Sequence, residues 1–293
     1  MGSDYLNRRS AAFLFSETTR TRCYNRKKMR RERENGIMVE AEKLIEIVKG
    51  TKTFFENRAA AGNIRVKGRA DYATQVDDSV QKYLYREFQN LYPEIKFIGE
   101  ETYSGEKVEG SMWIVDPVDG TTNLIHDYRQ SAVSVALAED GKIVLGIIYH
   151  PYTDELYLAE VGKGAYKNGQ KISVSAVSDM EHSLISVGTS PYHREHAEKN
   201  FEMFKRVFLQ CEDIRRSGSA ALDLAHVAEG SIEAYFERNL KIWDYAAGML
   251  LVEEAGGYVT DYEGARIGTE VAASDVAAVN SKLQNALLKI LVE

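Results

Sequence analysis

The chain has 293 residues, 44% of them hydrophobic and 28% charged, with a net charge of −7. Those values fit a globular protein of one large domain or two small ones. Cys23 and Cys211 are the only cysteines, which argues against a disulfide framework and a Cys-rich zinc site and makes a reducing cytoplasm the expected location. No apolar run reaches the length of a membrane span, so no membrane partner is expected.

Charge is unevenly spread. Residues 1–37 carry ten Lys/Arg against four acids, a balance of +6, which leaves −13 on the rest. An acidic body is a poor general binder of nucleic acid, so a nucleic-acid partner is not expected. The basic stretch superficially resembles a transit peptide. Its apolar patch, Ala11 to Phe15, is too short for a signal-peptide core, and no clear cleavage site follows. The expectation for residues 1–37 is a disordered basic extension with no catalytic role. The Arg26–Arg31 run is its one hint of an RNA or acidic partner. Residues 38–293 are expected to form one domain, with halves at 38–180 and 181–293.

Apolar residues at helical spacing run from Val39 to Phe55, and a second amphipathic helix is expected from Asp77 to Leu91. Between them the polar stretch from Ile64 to Tyr72, with Gly68 inside it, reads as a loop or hairpin. Phe54, Phe55, Tyr83 and Phe88 are assigned to the core. Lys96–Gly99 is a short strand ending in Glu100-Glu101. Met112–Val115 is a buried strand expected to stop at Asp116. Ser131–Glu139 and Ile143–His150 read as a hairpin joined by Asp140-Gly141, and Asn168-Gly169 marks a second hairpin after the strand Glu155–Ala159. Beyond residue 180, strands at Leu184–Gly188, Asp213–Arg216, Ala234–Glu237, Tyr258–Thr260 and Val276–Val279 alternate with helices, which predicts a mixed sheet.

Chemistry is concentrated where apolar runs end in acids. Asp116 and Asp119 follow the buried strand, Glu100 follows Lys96–Gly99, and Asp244 sits at a helix start. Gly120-Thr121-Thr122 offers backbone N–H groups and a helix dipole to an anion. Four acids from three segments suit two hard divalent ions holding a phosphate. The six histidines show no convincing ligand cluster, and Tyr192 to His196 reads as the start of a surface helix.

Asp116-Pro-Val-Asp-Gly-Thr-Thr-Asn123 and Trp243-Asp-Tyr-Ala-Ala-Gly248 resemble the two signatures of the inositol monophosphatase family of magnesium-dependent, lithium-sensitive phosphatases. Phe97 to Glu101, Lys67 to Asp77 and Gly162 to Gly169 are similar to three further family segments, in the family's order. The resemblance covers residues 40–293. It implies a layered α-β-α-β-α sandwich, like that shared with fructose-1,6-bisphosphatases, and a homodimer. It implies two to three Mg2+ ions, with Li+ as inhibitor. Glu100, Asp116 and the Val118 carbonyl would hold one ion, and Asp116, Asp119 and Asp244 a second. A weaker third ion would lie near Glu100 and Asp77. Glu100 and Thr121 would activate the attacking water, with Asp77 supporting Thr121. Gly120 and Thr121 N–H groups would cradle the phosphate.

On the substrate side the resemblance implies that Gly218, Ser219, Ala220 and Glu237 contact an inositol or sugar. A carboxylate can accept two hydroxyl hydrogen bonds from a polyol. The expected partner is therefore a small phosphate ester: inositol monophosphate first, with fructose 1,6-bisphosphate or a range of sugar phosphates as the alternative. The related nucleotidases usually read Glu-Trp-Asp-Thr-Ala-Ala-Gly, whereas this chain has Ile242-Trp243-Asp244-Tyr245, which argues against a 3′(2′),5′-bisphosphate nucleotidase. Arg238 either helps a second phosphate or sits on the surface. Lys67, beside Gly68, is a cation that a flexible loop could carry over the phosphate. Some bacterial relatives assist RNA polymerase complexes, so a regulatory binding protein is the reading from a different class.

Overall fold

A computed structural model describes residues 39–105, 107–269 and 273–292. The expectation for residues 1–37, and Cys23 with it, lies outside the described residues. Glu40–Glu293 form one compact unit.

The first half of the unit builds a seven-stranded sheet in the order β3-β4-β5-β6-β7-β8-β9. Its central strands are β4 (Ser111–Asp119), β5 (Ala132–Glu139), β6 (Lys142–His150) and β7 (Glu155–Glu160). β3 (Lys96–Gly99) lies parallel to β4 at one edge, while β8 (Gly164–Lys167) and β9 (Gln170–Lys171) close the other. Asp140-Gly141 and Asn168-Gly169 form the expected tight turns, and all four residues have positive φ, as the primed hairpin turns require. A separate two-stranded hairpin joins β1 (Ile64–Gly68) to β2 (Asp71–Thr74).

The second half builds a mixed five-stranded sheet, β11-β10-β12-β14-β13. Here β10 (Leu184–Val187) pairs in parallel with β11 (Asp213–Arg215) and with β12 (Ala234–Leu240). β14 (Ser274–Val279) runs antiparallel to β12 and to β13 (Tyr258–Thr260).

The helices make the remaining layers, numbered here in chain order. α1 (Ala41–Lys49) and α4 (Gln75–Leu91) cover the outer face of the large sheet, after the short α2 (Lys52–Phe55) and α3 (Arg58–Ala61). α5 (Thr121–Ile125) follows β4 directly. α7 (Ala220–Glu229) and α8 (Ile242–Glu254) lie between the two sheets. α6 (Ala197–Phe208) and α9 (Gln284–Val292) cover the outer face of the small sheet. The result is the expected α-β-α-β-α stack. α8 is apolar nearly all round, as a helix walled on both sides by sheet must be. It presses so closely on β6 that a Cβ at Gly146 would come within 2.6 Å of the Ala247 carbonyl oxygen.

Three expectations need correction. The helical run from Val39 does not reach Phe55. α1 ends at Lys49, where the Thr51 hydroxyl turns back to donate to the Val48 carbonyl at 2.6 Å. Phe55 and Phe88 are buried as expected, but Phe54 and Tyr83 are half-buried and stack on each other, with centroids 5.6 Å apart. The strand expected to stop at Asp116 continues to Asp119. Asp116 pairs with Ser134 and Asp119 with Ala132, so β4 carries one extra residue there. Pro117 has no N–H for the ladder, which makes a bulge the natural place for it.

Candidate active site

The bulge in β4 decides where the acids point. It lies beside a cleft of about 590 Å³ at the meeting of β4, α5, the start of α7 and the start of α8. Glu100, Asp116, Val118, Asp119, Gly120, Thr121, Gly218, Ser219, Ala220, Glu237 and Asp244 all line it. Asp77 lies buried behind Thr121 and touches it. The structure therefore brings every expected site residue to one place, although they come from both halves of the chain.

Asp116, Asp119 and Asp244 offer carboxylate oxygens that all lie within 4.8 Å of one another. Each accepts at least one hydrogen bond from a neutral donor. Asp116 Oδ1 accepts from the Val118 N–H two residues on, at 2.9 Å. Asp119 Oδ2 accepts from the Ser219 hydroxyl and from the Ala221 N–H at 2.8 Å, which ties β4 to the first turn of α7. Asp244 Oδ2 accepts from the Lys241 N–H at 2.7 Å and so caps α8 from its third position.

No lysine or arginine among the described residues forms an ion pair with any of the three. Asp116 is 2% exposed and Asp119 8%. Burial pushes the Asp116 carboxyl well above its usual range, and the nearby Glu100, Asp119 and Asp244 add to the effect. Burial, then Glu100 and Asp119, does the same to Asp244. Asp119 rises to about 7, mainly through burial, despite the donors around it. Carboxylates gathered this way, without a cation, are costly unless an ion joins them. The donor set is all oxygen, which fits a hard ion such as Mg2+ or Ca2+.

Glu100 and Glu101 lie just past β3 and are treated differently. Lys67 Nζ, on β1, lies 2.7 Å from Glu100 Oε1 and 2.9 Å from Glu101 Oε1. Arg65 Nη2 adds a 2.7 Å contact to the buried Glu101. Burial works against the Lys67 charge, but Glu100 and Glu101 overcome it and hold its pKa above the normal lysine value. Lys67, read in the sequence as a cation near a phosphate, is thus seated on the carboxylates themselves.

Thr121 Oγ1 lies 2.9 Å from Asp77 Oδ1 and 3.0 Å from the Val118 carbonyl. Its single hydroxyl hydrogen is directed to these acceptors, which leaves oxygen lone pairs for a third group. Asp77 Oδ2 accepts from the Thr74 N–H and hydroxyl, closing a capping box on α4. Burial raises Asp77 to about 6, against those hydrogen bonds. Gly120 must be glycine. Its φ is +88°, and a Cβ there would meet the Gln130 carbonyl at 2.8 Å.

On the opposite wall, Glu237 of β12 accepts from the Tyr235 hydroxyl at 2.6 Å and from the Ser190 N–H at 2.8 Å. Each of its oxygens keeps a free lone pair. Asn123, buried in α5, donates to the carbonyls of Gln130 and Ser217 and so fixes the Gly218 turn against β4.

Sequence reasoning missed several lining residues: Tyr103, His126, Tyr192, Arg194, Arg216, Asp223 and Lys241. Arg216 donates to Thr189 Oγ1 at 3.2 Å; its place two residues before Gly218 was the one available signal. Arg238, weighed as a phosphate ligand or a surface residue, does not line the cleft. It pairs with Asp275 at 2.6 Å and lies over the Tyr262 ring. Of the six histidines, which show no convincing ligand cluster in the sequence, His193 and His196 meet Glu195 on one turn.

Residues 32–293 match the inositol monophosphatase family. A protein of Xylella fastidiosa named Nus factor SuhB is 40% identical over 80% of this chain and 87% of its own length. The inositol-1-monophosphatase of Rhizobium meliloti is 38% identical over 87% of this chain and 94% of its own. The crystal structure of the extragenic suppressor protein suhB from Bartonella henselae superposes with a TM-score of 0.79 at 36% identity, covering 86% and 97% of the two chains.

Proposed function

The chain belongs to the inositol monophosphatase family, and from that premise we propose that it is a magnesium-dependent phosphomonoesterase that hydrolyses inositol monophosphate to inositol and phosphate. The observation that carries this reading is the group of Asp116, Asp119 and the half-buried Asp244, paired with no lysine or arginine among the described residues, in a cleft whose other wall presents Glu237. Glu100, Asp116 and the Val118 carbonyl would hold one ion. Asp116, Asp119 and Asp244 would hold a second, and a third, weaker ion would sit near Glu100 and Asp77. The chemistry magnesium supplies when bound is Lewis acidity toward phosphoryl oxygens and a water made acidic enough to deprotonate near neutrality.

The chain's own residues do the rest. Thr121 gives its hydroxyl hydrogen to Asp77 and accepts a hydrogen bond from the attacking water. Glu100, released from Lys67, takes the water's proton. A new O–P bond forms in line with the ester P–O bond that breaks, the leaving alkoxide takes a proton from solvent water, and Glu100 returns its proton to solvent. No covalent phosphoenzyme is needed. Gly120 and Thr121 N–H groups meet the charge on the phosphoryl oxygens. Glu237 accepts substrate hydroxyls beside the Gly218-Ser219-Ala220 turn. Ser219 also keeps Asp119 in place. Lithium inhibition, a homodimer and a cytoplasmic location belong to the same proposal.

The test is phosphate release from a panel of esters with Mg2+, with and without Li+. Inositol 1-phosphate is expected to be turned over by the native protein and not by Asp116→Asn. Equal release by both would defeat the assignment. A higher specificity constant for fructose 1,6-bisphosphate would move the substrate to the sugar-phosphate alternative. A second reading, a regulatory factor binding RNA or RNA polymerase, is favoured by the 40% identical relative that bears the name Nus factor. RNA binding by the full chain without release from any ester would support it.

A further inference from the structure

We propose that His193, Glu195 and His196 form a second cation site, selective for zinc-class ions, on the turn that carries one wall of the cleft. The turn is a single 3-10 helix, Arg194–His196, entered from His193. Its backbone is closed by His193 N–H to the Ser190 carbonyl at 2.9 Å and by His196 N–H to the His193 carbonyl at 3.1 Å. His193 precedes the 3-10 residues with φ −119° and ψ 65°, and its imidazole lies beside that of His196. Their ring centroids are 6.0 Å apart with planes at 35°. Glu195 Oε1 lies 3.0 Å from His193 Nδ1, and one ligand atom from each residue falls within 4.8 Å of the other two.

The donor chemistry separates this site from the aspartates. Two imidazole nitrogens and one carboxylate are the ligands of a borderline ion, with a water free to take a fourth position. Magnesium prefers oxygen and keeps its waters, so it is a poor competitor here. Bonds of about 2.0–2.1 Å to a tetrahedral ion require the three atoms to close by rotamer changes alone. That closure is open to them, since His193 and His196 are half-exposed and Glu195 is exposed. Among the described residues it replaces the His193–Glu195 bond and the bond that the Glu195 carboxylate accepts from its own backbone N–H.

Its position gives the site a consequence. Tyr192 and Arg194, on either side of His193, line the cleft. Ser190, three residues before His193, donates its N–H to Glu237 and its hydroxyl to the Arg238 carbonyl. An ion holding His193 to His196 would therefore fix the far end of a segment already pinned at its near end to the substrate-side carboxylate.

Zn2+ is titrated calorimetrically into the full chain kept in saturating Mg2+. One equivalent is expected to bind the native protein. Affinity should fall by at least about tenfold in His193→Gln/His196→Gln and fall measurably in Glu195→Gln. Asp116→Asn should leave this isotherm unchanged, which keeps the result independent of the phosphatase reading. Circular dichroism of the histidine variant is expected to match the native protein, because the turn is at the surface. An unchanged zinc isotherm in the double variant, or one lost in Asp116→Asn, overturns the proposal.

Discussion

Two groups of acids face one cleft, and the chain treats them in opposite ways. Asp116, Asp119 and Asp244 are gathered with only neutral donors around them. Glu100 and Glu101, on the neighbouring strand end, are met by Lys67 and Arg65 from the β1–β2 hairpin. The bulged end of β4 and the first turn of α8 hold the first group, whereas an exposed two-stranded hairpin supplies the cations of the second. Among the described residues two cationic side chains meet Glu100 and Glu101 and none pairs with the three aspartates, whose charge an ion from solution would offset.

The contrast can be broken most severely at its unpaired side. Asp116→Asn should lower turnover of inositol 1-phosphate on the order of a thousandfold, read as kcat at saturating Mg2+. Thr121→Val, which leaves both acid groups intact and removes only the hydroxyl between Asp77 and the cleft, should cost kcat roughly a hundredfold with little change in Mg2+ requirement.

Stability without divalent ions should then move in opposite directions. Asp116→Asn relieves repulsion and should raise the melting temperature of the ion-free protein. Lys67→Ala strands Glu100 and Glu101 and should lower it, by about 1–2 kcal/mol in unfolding free energy. Thermal melts in a chelator read both, and equal signs would erase the distinction between the two groups.

The smallest effect concerns Asp223, a buried acid of α7 that lines the same cleft. Burial raises it to about 7 against the donors of Ser217 and Ser186. A carboxyl raised on folding binds its proton more tightly in the native state. Its contribution is therefore complete below the unfolded value near 4 and is lost as pH rises through about 7. Asp223→Asn should flatten that part of the melting temperature's pH dependence by a few degrees.

Much of this was legible because it is local. Asp140-Gly141 and Asn168-Gly169 announce their hairpins through residues that accept positive φ, and the run Lys96–Gly99 ending in Glu100-Glu101 announces the end of β3. The family segments then placed the remaining site residues. What stayed hidden depends on contacts across the fold. The bulge that aims Asp116 and Asp119 is visible only in the register with Ser134 and Ala132. Glu237 gave no sign that Ser190, 47 residues earlier, would donate to it. Lys67 looked like a phosphate ligand until Glu100 and Glu101 were seen around it. The Tyr192–His196 stretch read as a plain helix start because neither the cleft beside it nor the neighbouring imidazoles of His193 and His196 show in a one-dimensional pattern.

The central claim is that the three aspartates await a hard divalent ion. Calorimetric titration of Mg2+ into the native chain and into Asp116→Asn tests it most directly. Saturable binding by the native protein that is lost or strongly weakened in the variant is the predicted result; the same isotherm from both proteins would contradict the account.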